Sequence, residues 1–164
     1  GGSEKNIDPG FRIWAENAKN LRALVSSNDQ LKNLLVSGEA LIAPWFTSIW
    51  AFWVEEGAPL GFVNPKEGVV AFPIYLQIVK GSTPEQVAVA EEIINELLRL
   101  ENNARYARLT FAIPSVRGAS LSPTVEKILN PKLLDTAIWL GWATMGAKAS
   151  VWRQRWEREV ESRL

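Results

Sequence analysis

Cysteine and histidine are both missing from this chain of 164 residues. Without cysteine no disulfide forms, and a zinc, haem or iron-sulfur site lacks its usual sulfur and nitrogen ligands. Without histidine the chain also lacks the commonest general base, which argues against a hydrolase of the Ser-His-Asp type. The sequence therefore predicts neither a metal site nor a cofactor.

An excess of charge is lacking too, because 18 basic side chains balance 18 acidic ones. Such a chain has no electrostatic footprint for nucleic acid. The longest apolar runs, such as Val69 to Leu76, are far shorter than the roughly 20 residues that cross a bilayer. The N-terminus shows no basic region followed by a hydrophobic segment, as a signal peptide would. We expect no nucleic-acid partner and no direct insertion into a membrane.

Motifs for catalysis are also absent. No glycine loop has the GxGxxG spacing or the GK[ST] ending that cradles phosphate. The neighbouring carboxylates Glu55 and Glu56, and likewise Glu91 and Glu92, point about 100° apart on a helix, so neither pair converges on one substrate atom. We therefore predict that the chain is not an enzyme.

What the chain does have is a dense aromatic segment, "APWFTSIW" at residues 43–50, followed at once by two more rings. It lies where a brief strand is predicted to end and a helix to begin, which is where open α/β sheets bind ligands. Flat rings there can stack on a small solute, while hydroxyls and helix-start amides supply hydrogen bonds. Aromatic side chains more commonly fill a core. Both interpretations stay open for Trp45, Phe46, Trp50, Phe52 and Trp53.

Strands that alternate with helices predict an α/β chain. Brief strands are expected at "ALIAPW" and "PLGFVNP". A longer extended run is expected in "PKEGVVAFPIYLQIVKG", where Pro73 indicates a crossing between two sheets because proline cannot donate to a sheet ladder. Phe72 and Tyr75, on either side of this crossing, are equally compatible with packing and with a binding site.

The helices are predicted from caps and apolar periodicity. Thr83 and Gln86 form a capping box with Pro84 between them, which marks the clearest helix start. The tail from about residue 133 to residue 164 is predicted to be helical, with an interruption at residues 141–146. Glu159 and Arg163 are spaced for a favourable ion pair on its last part.

Three stretches carry a resemblance to a known family: "GGSEKNIDPGF", "LLVSGEALIAPWF" and "EEGAPLGFVNPKEGVVAFPIYLQIVKGSTPEQ". They resemble the second half of an extracellular solute-binding protein of an ABC importer, of the polyamine-type cluster with the type II periplasmic binding fold. The resemblance covers residues 1 to about 100 well, and it is looser in "AIPSVRGASLSP" and the tryptophan-rich tail.

The resemblance implies a partial α/β fold, with portions of two three-layer α/β lobes joined by a hinge-crossing strand. Residues 1–68 would form the C-terminal portion of the second lobe. Residues 69–164 would form the hinge-crossing strand, from Val69 to Ile78, and the C-terminal portion of the first lobe. The family's N-terminal half would be missing.

The resemblance also implies ligand-binding residues. Phe46 stands where polyamine-binding relatives stack an aromatic ring on the ligand, and Phe72 corresponds to a second aromatic on the crossing. Two residues later those relatives carry an Asp that takes the ligand's ammonium, whereas this chain has Ile74. Losing such a charge-assisted hydrogen bond, worth about 1.5–3 kcal/mol, favours a less cationic or differently oriented solute. The predicted ligand-binding residues are Trp45, Phe46, Thr47, Phe72, Ile74 and Tyr75.

Two hypotheses for function follow from this resemblance. The first is a periplasmic or extracellular binding protein, or a piece of one, that captures a small polar solute in an aromatic-lined interlobe cleft for ABC permease subunits. Amines are among the candidate solutes. The second is a truncated or engineered half-protein that folds by dimerisation, by strand exchange or with its missing N-terminal half, and that binds no solute alone. An enzyme is a distant third.

Overall fold

The computed structural model describes residues 2–128 and 135–164. Helices make up most of these residues, and the strands form one short sheet. The α-helices are α1 (Asp8–Asn17), α2 (Asn28–Val36), α3 (Thr47–Glu55), α4 (Pro84–Leu97), α5 (Leu100–Thr110), α6 (Pro123–Ile128) and α7 (Trp142–Glu159). Single turns of 3₁₀ helix lie at Ala18–Asn20 and Glu161–Arg163, and the strands are β1 (Val70–Ala71) and β2 (Ile138–Trp139). The predicted α/β class is confirmed.

The chain forms two compact units, and neither is a continuous segment. Unit 1 consists of Gly1–Ala40, Gly68–Phe72 and Ala137–Leu164. Unit 2 consists of Leu41–Glu67 and Pro73–Thr136. The assignment of residues 1–68 and 69–164 to two lobes of a family fold stays a prediction.

The core of unit 1 is built where α1 packs against α7. Phe11 is buried, and the guanidinium of Arg155 lies 4.4 Å from the centre of its ring. Arg155 also donates to the carboxylate of Asp8 at 2.5 Å. Trp14 meets Trp156 edge to face, with ring centres 5.7 Å apart. A cation–π contact, an ion pair and an edge-to-face ring pair therefore hold α1 to α7.

The sheet of unit 1 joins stretches that are distant in sequence. Val70 pairs with Ile138, and Ala71 pairs with Trp139, in a parallel arrangement. The amide of Ile138 donates to the carbonyl of Val69 at 2.8 Å. Because the strands are parallel, both run toward the same edge of the sheet.

The core of unit 2 forms between α3 and α6 and between α4 and α5. Trp53 on α3 and Val125 on α6 are buried. The hydroxyl of Thr124 donates to the carboxylate of Glu55, which ties the same two helices together. The side-chain amide of Asn64 donates to the carbonyl of Ile128 at 3.0 Å and fixes the loop that follows α3.

The capping box of α4 is confirmed. The hydroxyl of Thr83 accepts from the amide of Gln86 at 3.3 Å, and the side chain of Gln86 accepts from the amide of Thr83 at 2.9 Å. Pro84 occupies the first helical turn. This helix begins at the predicted residue because all of these contacts are local in sequence.

Two predicted strands are wrong. Residues 40–45 and 59–65 contain no strand, and Leu41 is 92% exposed rather than buried. A strand requires a neighbouring ladder for its amides and carbonyls, and neither stretch has one. The crossing run is also shorter than predicted, because only Val70–Ala71 of the Val69–Ile78 run is a strand.

The tail differs from its prediction in three respects. Ile138 and Trp139 form β2 instead of continuing a helix. Gly146 does not interrupt the helix, since α7 continues through it from Trp142 to Glu159. Its neighbours include Ala143, Met145 and Ala147, and strong helix formers offset the cost of about 1 kcal/mol for one internal glycine. Glu159 pairs with Arg155 and Arg158 rather than with Arg163. Residues 129–134, where the predicted tail helix was to begin, lie outside the described residues.

Candidate functional site

The carboxyl edge of the sheet in unit 1 gathers two aromatic residues. Phe72 follows β1 directly, and Trp142 begins α7 three residues after the end of β2. Their ring centres lie 6.3 Å apart, with an angle of 78° between the planes. Outside the carboxyl ends of parallel strands is where open α/β sheets place their ligands. We call Phe72 and Trp142 the sheet-end pair.

Both rings of the sheet-end pair are accessible. Phe72 is 44% exposed and Trp142 is 47% exposed. In an edge-to-face contact the edge of one ring covers a face of the other, so the remaining ring surface stays available. Trp139, at the end of β2, is 60% exposed and extends the apolar surface. The arrangement can stack on a small flat or aliphatic group.

A carboxylate binds the backbone just before Trp142. Glu4 Oε1 accepts a hydrogen bond from the amide of Gly141, the residue just before Trp142, at 2.6 Å. Hydrogen bonds from its own backbone amide and from that of Gly141 lower the pKa of Glu4 below its usual value. Its side chain is therefore an anion at neutral pH. Lys148 contacts the backbone carbonyl of Glu4, at 3.4 Å, rather than the carboxylate.

The aromatic residues of α3 pack within unit 2. Trp53 is buried, and Trp50 contacts Phe62 with ring centres 5.1 Å apart. The indole N–H of Trp50 donates to the carbonyl of Leu60 at 3.2 Å, so its polar atom has a protein partner. Phe52 meets Phe111 edge to face at 6.4 Å. The core interpretation therefore applies to Trp53 and Trp50, whereas Phe52 is 50% exposed and stays open to both interpretations.

The predicted ligand-binding residues before α3 also lie in unit 2. The rings of Trp45 and Phe46 contact one another, with centres 5.6 Å apart. Phe46 is 49% exposed, and Trp45 and Thr47 are half-buried. Thr47 is the first residue of α3, and no hydroxyl caps this helix. Trp45, Phe46 and Thr47 therefore form a partly exposed cluster that contains two contacting rings.

Ile74 and Tyr75 lie in an extended stretch of unit 2 that follows Pro73. Both side chains are well exposed, and the stretch is not part of a strand. Phe72 belongs to unit 1, whereas the other five predicted residues belong to unit 2. Their role as ligand-binding residues stays a prediction.

A concave surface in unit 1 surrounds Arg155 and has a volume of about 530 Å³. The positive charge of Arg155 is already paired within the protein, because Asp8 and Glu159 both bind its guanidinium. Hydrogen bonds from Arg158 and Arg155 lower the pKa of Glu159. These paired charges act between α1 and α7, and we assign them to the stability of unit 1. In the described part of the chain, no group of three or more acidic side chains is placed to hold a metal ion.

Sequence reasoning missed both Trp142 and Glu4. Trp142 was assigned to a helix interruption, since nothing in the local pattern marks β2 or its pairing with β1. Glu4 lies 137 residues from Gly141 in sequence, and no local spacing connects them. Only the fold brings the carboxylate of Glu4 to the backbone of Gly141.

Comparison with protein families matches residues 4–147 to the family described as bacterial extracellular solute-binding protein. No curated protein and no solved structure matches the chain. None of the helices within residues 2–128 and 135–164 has the length and apolar character needed to cross a membrane.

The matched segment includes α1 to α6, both strands and the start of α7, and so covers parts of both units and the sheet-end pair. The family consists of binding proteins and is in general not enzymatic. Its members act outside the cytoplasm, in the periplasm or the extracellular space. The chain therefore belongs to the bacterial extracellular solute-binding proteins, with a solute-binding role in transport.

Proposed function

We propose that this chain captures a small polar solute for an ABC importer and hands it to permease subunits, without chemical change to the solute. The single observation that carries the proposal is the sheet-end pair. Two accessible rings, Phe72 and Trp142, lie side by side after the ends of two parallel strands. Rings of this size usually pack in a core, and exposed rings at a strand end support a binding role.

The chemistry of the pair suits a polar solute with a flat or aliphatic portion. Stacking on Trp142 removes apolar surface from water, and the polar groups of a solute stay directed toward the solvent or toward neighbouring polar atoms. Trp45, Phe46 and Thr47 stay proposed ligand-binding residues, supported by the partial exposure of Phe46. Ile74 and Tyr75 also stay proposed ligand-binding residues, supported by the exposure of their side chains.

A solute library tests the proposal by isothermal titration. It should contain sugars, neutral amino acids, carboxylates and amines. We expect at least one class to bind, and Phe72→Ala and Trp142→Ala to weaken that binding by at least tenfold. Absence of binding by every class would overturn the proposal.

The chain offers a matched control for these variants. Trp14 and Trp156 form another edge-to-face pair in unit 1, with ring centres 5.7 Å apart and an angle of 71°. Trp14→Ala removes a comparable ring contact on α1, so it should leave solute affinity unchanged. Equal losses in Trp14→Ala and Trp142→Ala would mean that the effect is structural.

Self-association is a second candidate function, favoured by one specific observation. The extended stretch after Pro73 exposes apolar side chains, with Ile74 at 74% and Val79 at 77%. No strand pairs with this stretch in the described residues. Extended segments whose backbone amides and carbonyls have no strand partner tend to pair with other chains. Light scattering over a range of concentrations should show dimers that Ile74→Lys dissociates, and a monomer at every concentration would contradict it.

A further inference from the structure

We infer that the concave surface around Arg155 is a second binding site of unit 1, which takes a small carboxylate of single negative charge between Arg12 and Arg163. We call this surface the arginine cavity. Neither ring of the sheet-end pair lines it, so the inference goes beyond the proposed function. Its basis is that two arginines without an acidic partner in the described residues line the same cavity.

The arginine cavity has the size and the wall of a small-molecule site. Its volume of about 530 Å³ lies within the roughly 300–1,000 Å³ of such sites. Phe11 is buried, and the guanidinium of Arg155 lies over its ring. Pro9 and Ala15 add apolar surface to the wall. A short alkyl group can therefore contact Pro9 and Ala15 while its polar end meets the charged side chains.

Six charged side chains line the arginine cavity, three basic and three acidic: Arg12, Arg155, Arg163, Asp8, Glu16 and Glu159. Two of the acidic side chains are paired within the protein. Asp8 binds Arg155, and Glu159 binds both Arg155 and Arg158. Two carboxylates thus face two guanidiniums, and this group carries no net charge.

The remaining three charges of the cavity are not paired. Across residues 2–128 and 135–164, Arg12, Glu16 and Arg163 take part in no ion pair. Arg12 and Glu16 lie one helical turn apart on α1, yet they form no contact with one another. Two positive charges and one negative charge leave an excess of one positive charge. A bound monoanion would balance it.

The two arginines come from opposite ends of the chain, and the fold brings them to the same helix. Arg12 belongs to α1, and Arg163 belongs to the 3₁₀ turn at Glu161–Arg163. Arg163 Nη1 donates to the carbonyl of Ala15 on α1 at 3.4 Å. A guanidinium carries five N–H donors, so this one contact leaves donors of Arg163 available to a ligand.

Guanidinium groups favour a carboxylate as the ligand. The planar fork of an arginine matches the two oxygens of a carboxylate, and the charge strengthens both hydrogen bonds. A neutral amide of the same shape lacks that charge. A dianion such as phosphate exceeds the single positive charge in excess and is repelled by Glu16. The arginine cavity should therefore prefer a monocarboxylate to both.

A carboxylate in this position would also stabilise the fold of unit 1. It would bridge α1 to the last turn of the chain, and a ligand that binds only the folded state shifts unfolding to higher temperature. The competing interpretation is that Arg12 and Arg163 are ordinary solvated charges on an exposed surface. That interpretation predicts neither selective binding nor stabilisation.

Propionate and its neutral isostere propionamide test the inference, with inorganic phosphate as the dianionic probe. Each compound is titrated into nitrogen-labelled protein at constant ionic strength, and the side-chain Nε–H signals of the arginines are followed after assignment by substitution. We expect propionate to move the signals of Arg12 and Arg163 in a saturable manner. Propionate should bind at least fivefold more tightly than propionamide or phosphate, and it should raise the Tm.

Variants identify the side chains that bind. Arg12→Gln should weaken propionate binding at least fivefold, and it breaks no hydrogen bond within the described residues. Arg163→Gln should have a similar effect, with circular dichroism to verify the fold. Glu16→Gln should strengthen binding about twofold, because it removes a repelling charge. Arg153→Gln is the matched control, since Arg153 is exposed on α7 but does not line the cavity, and it should change nothing.

The outcomes separate this inference from the proposed function. Equal losses in Arg12→Gln and Arg153→Gln would mean unspecific attraction of anions and would overturn the inference. Absence of saturable propionate binding would also overturn it and leave the proposed function untouched. Trp142→Ala should not alter propionate affinity. If propionate binding were lost in Trp142→Ala and kept in Arg12→Gln, the carboxylate would bind at the sheet-end pair, which supports the proposed function and contradicts the arginine cavity.

Discussion

The aromatic residues of α3 and the sheet-end pair use the same side chains for different purposes. On α3, Trp53 is buried and the indole N–H of Trp50 has a protein acceptor. At the sheet end, Phe72 and Trp142 touch one another and remain nearly half exposed. The same dense segment also contains Phe46 and Phe52, which are about half exposed. The burial of Trp53 and the acceptor of the Trp50 N–H identify these two as packing residues, and the binding role of the rings at the strand end is our proposal.

The largest test of this contrast is the replacement of Trp53 by Ala. Trp53 is 4% exposed in the core of unit 2, and large-to-small changes at such positions cost about 3–5 kcal/mol. Urea unfolding should show a loss of this size in the free energy of unfolding. Phe46→Ala, at a half-exposed position just before α3, should cost about 1 kcal/mol or less. Similar losses in the two variants would remove the distinction between core and surface rings.

A second test concerns the buried polar contact that stabilises unit 2. The side chain of Asn103 accepts from the amide of Val116 at 3.1 Å and donates to the hydroxyl of Ser115 at 3.3 Å. Asn103→Ala leaves the amide of Val116 without this acceptor, which should cost about 1–3 kcal/mol.

The neighbouring Asn102 provides the control for this change. It lies nearer the surface and donates to the carbonyl of Glu96 at 2.8 Å. Water can replace that contact, so Asn102→Ala should cost less than Asn103→Ala in the same urea experiment. The reverse order would show that the loop after α5 is not held by Asn103.

The third prediction concerns how much the sheet-end pair contributes to the stability of unit 1. Trp142→Ala removes one edge-to-face contact between half-exposed rings, so unit 1 should lose only about 0.5–1.5 kcal/mol in thermal or urea unfolding. A loss as large as that of Trp53→Ala would identify Trp142 as a core residue and argue against a binding role.

The smallest effect on stability is expected from acidification. The pKa values of Glu4 and Glu159 are lower in the folded chain than usual, because backbone amides bind Glu4 and arginines bind Glu159. Their stabilisation is therefore fully present above the unfolded-state pKa and is lost as pH falls through the folded-state pKa. The stability difference between the unmodified chain and the Glu4→Gln, Glu159→Gln double variant should shrink on acidification from neutral pH. A difference that grows in acid would contradict the assignment.

Local contacts were predictable from sequence. The capping box of Thr83 and Gln86 was correct, because both partners lie within one helical turn. The strands at residues 40–45 and 59–65 were wrong, because a strand depends on a partner that the local pattern does not specify. The pairing of β1 with β2 was missed for the same reason, since it joins Val70 to Ile138.

The candidate site was predictable only in part. Phe72 is predicted from its place beside Pro73 in the extended run and from the family resemblance; the structure places it directly after β1, and its binding role stays a prediction. Trp142 and Glu4 were not selected, because their proximity to Phe72 and Gly141 arises from tertiary structure. Residues that meet through the fold leave no spacing signal in a single sequence.

The indole resonances of the eight tryptophans provide the most direct test of the central claim that the sheet-end pair, and not the tryptophans of α3, binds the solute. Nitrogen-labelled protein is titrated with the tightest-binding compound of the library, and each indole signal is assigned by substitution. We predict that the signal of Trp142 moves with the bound fraction, while those of Trp50 and Trp53 stay in place. Movement confined to Trp50 and Trp53, with Trp142 unaffected, would contradict the account.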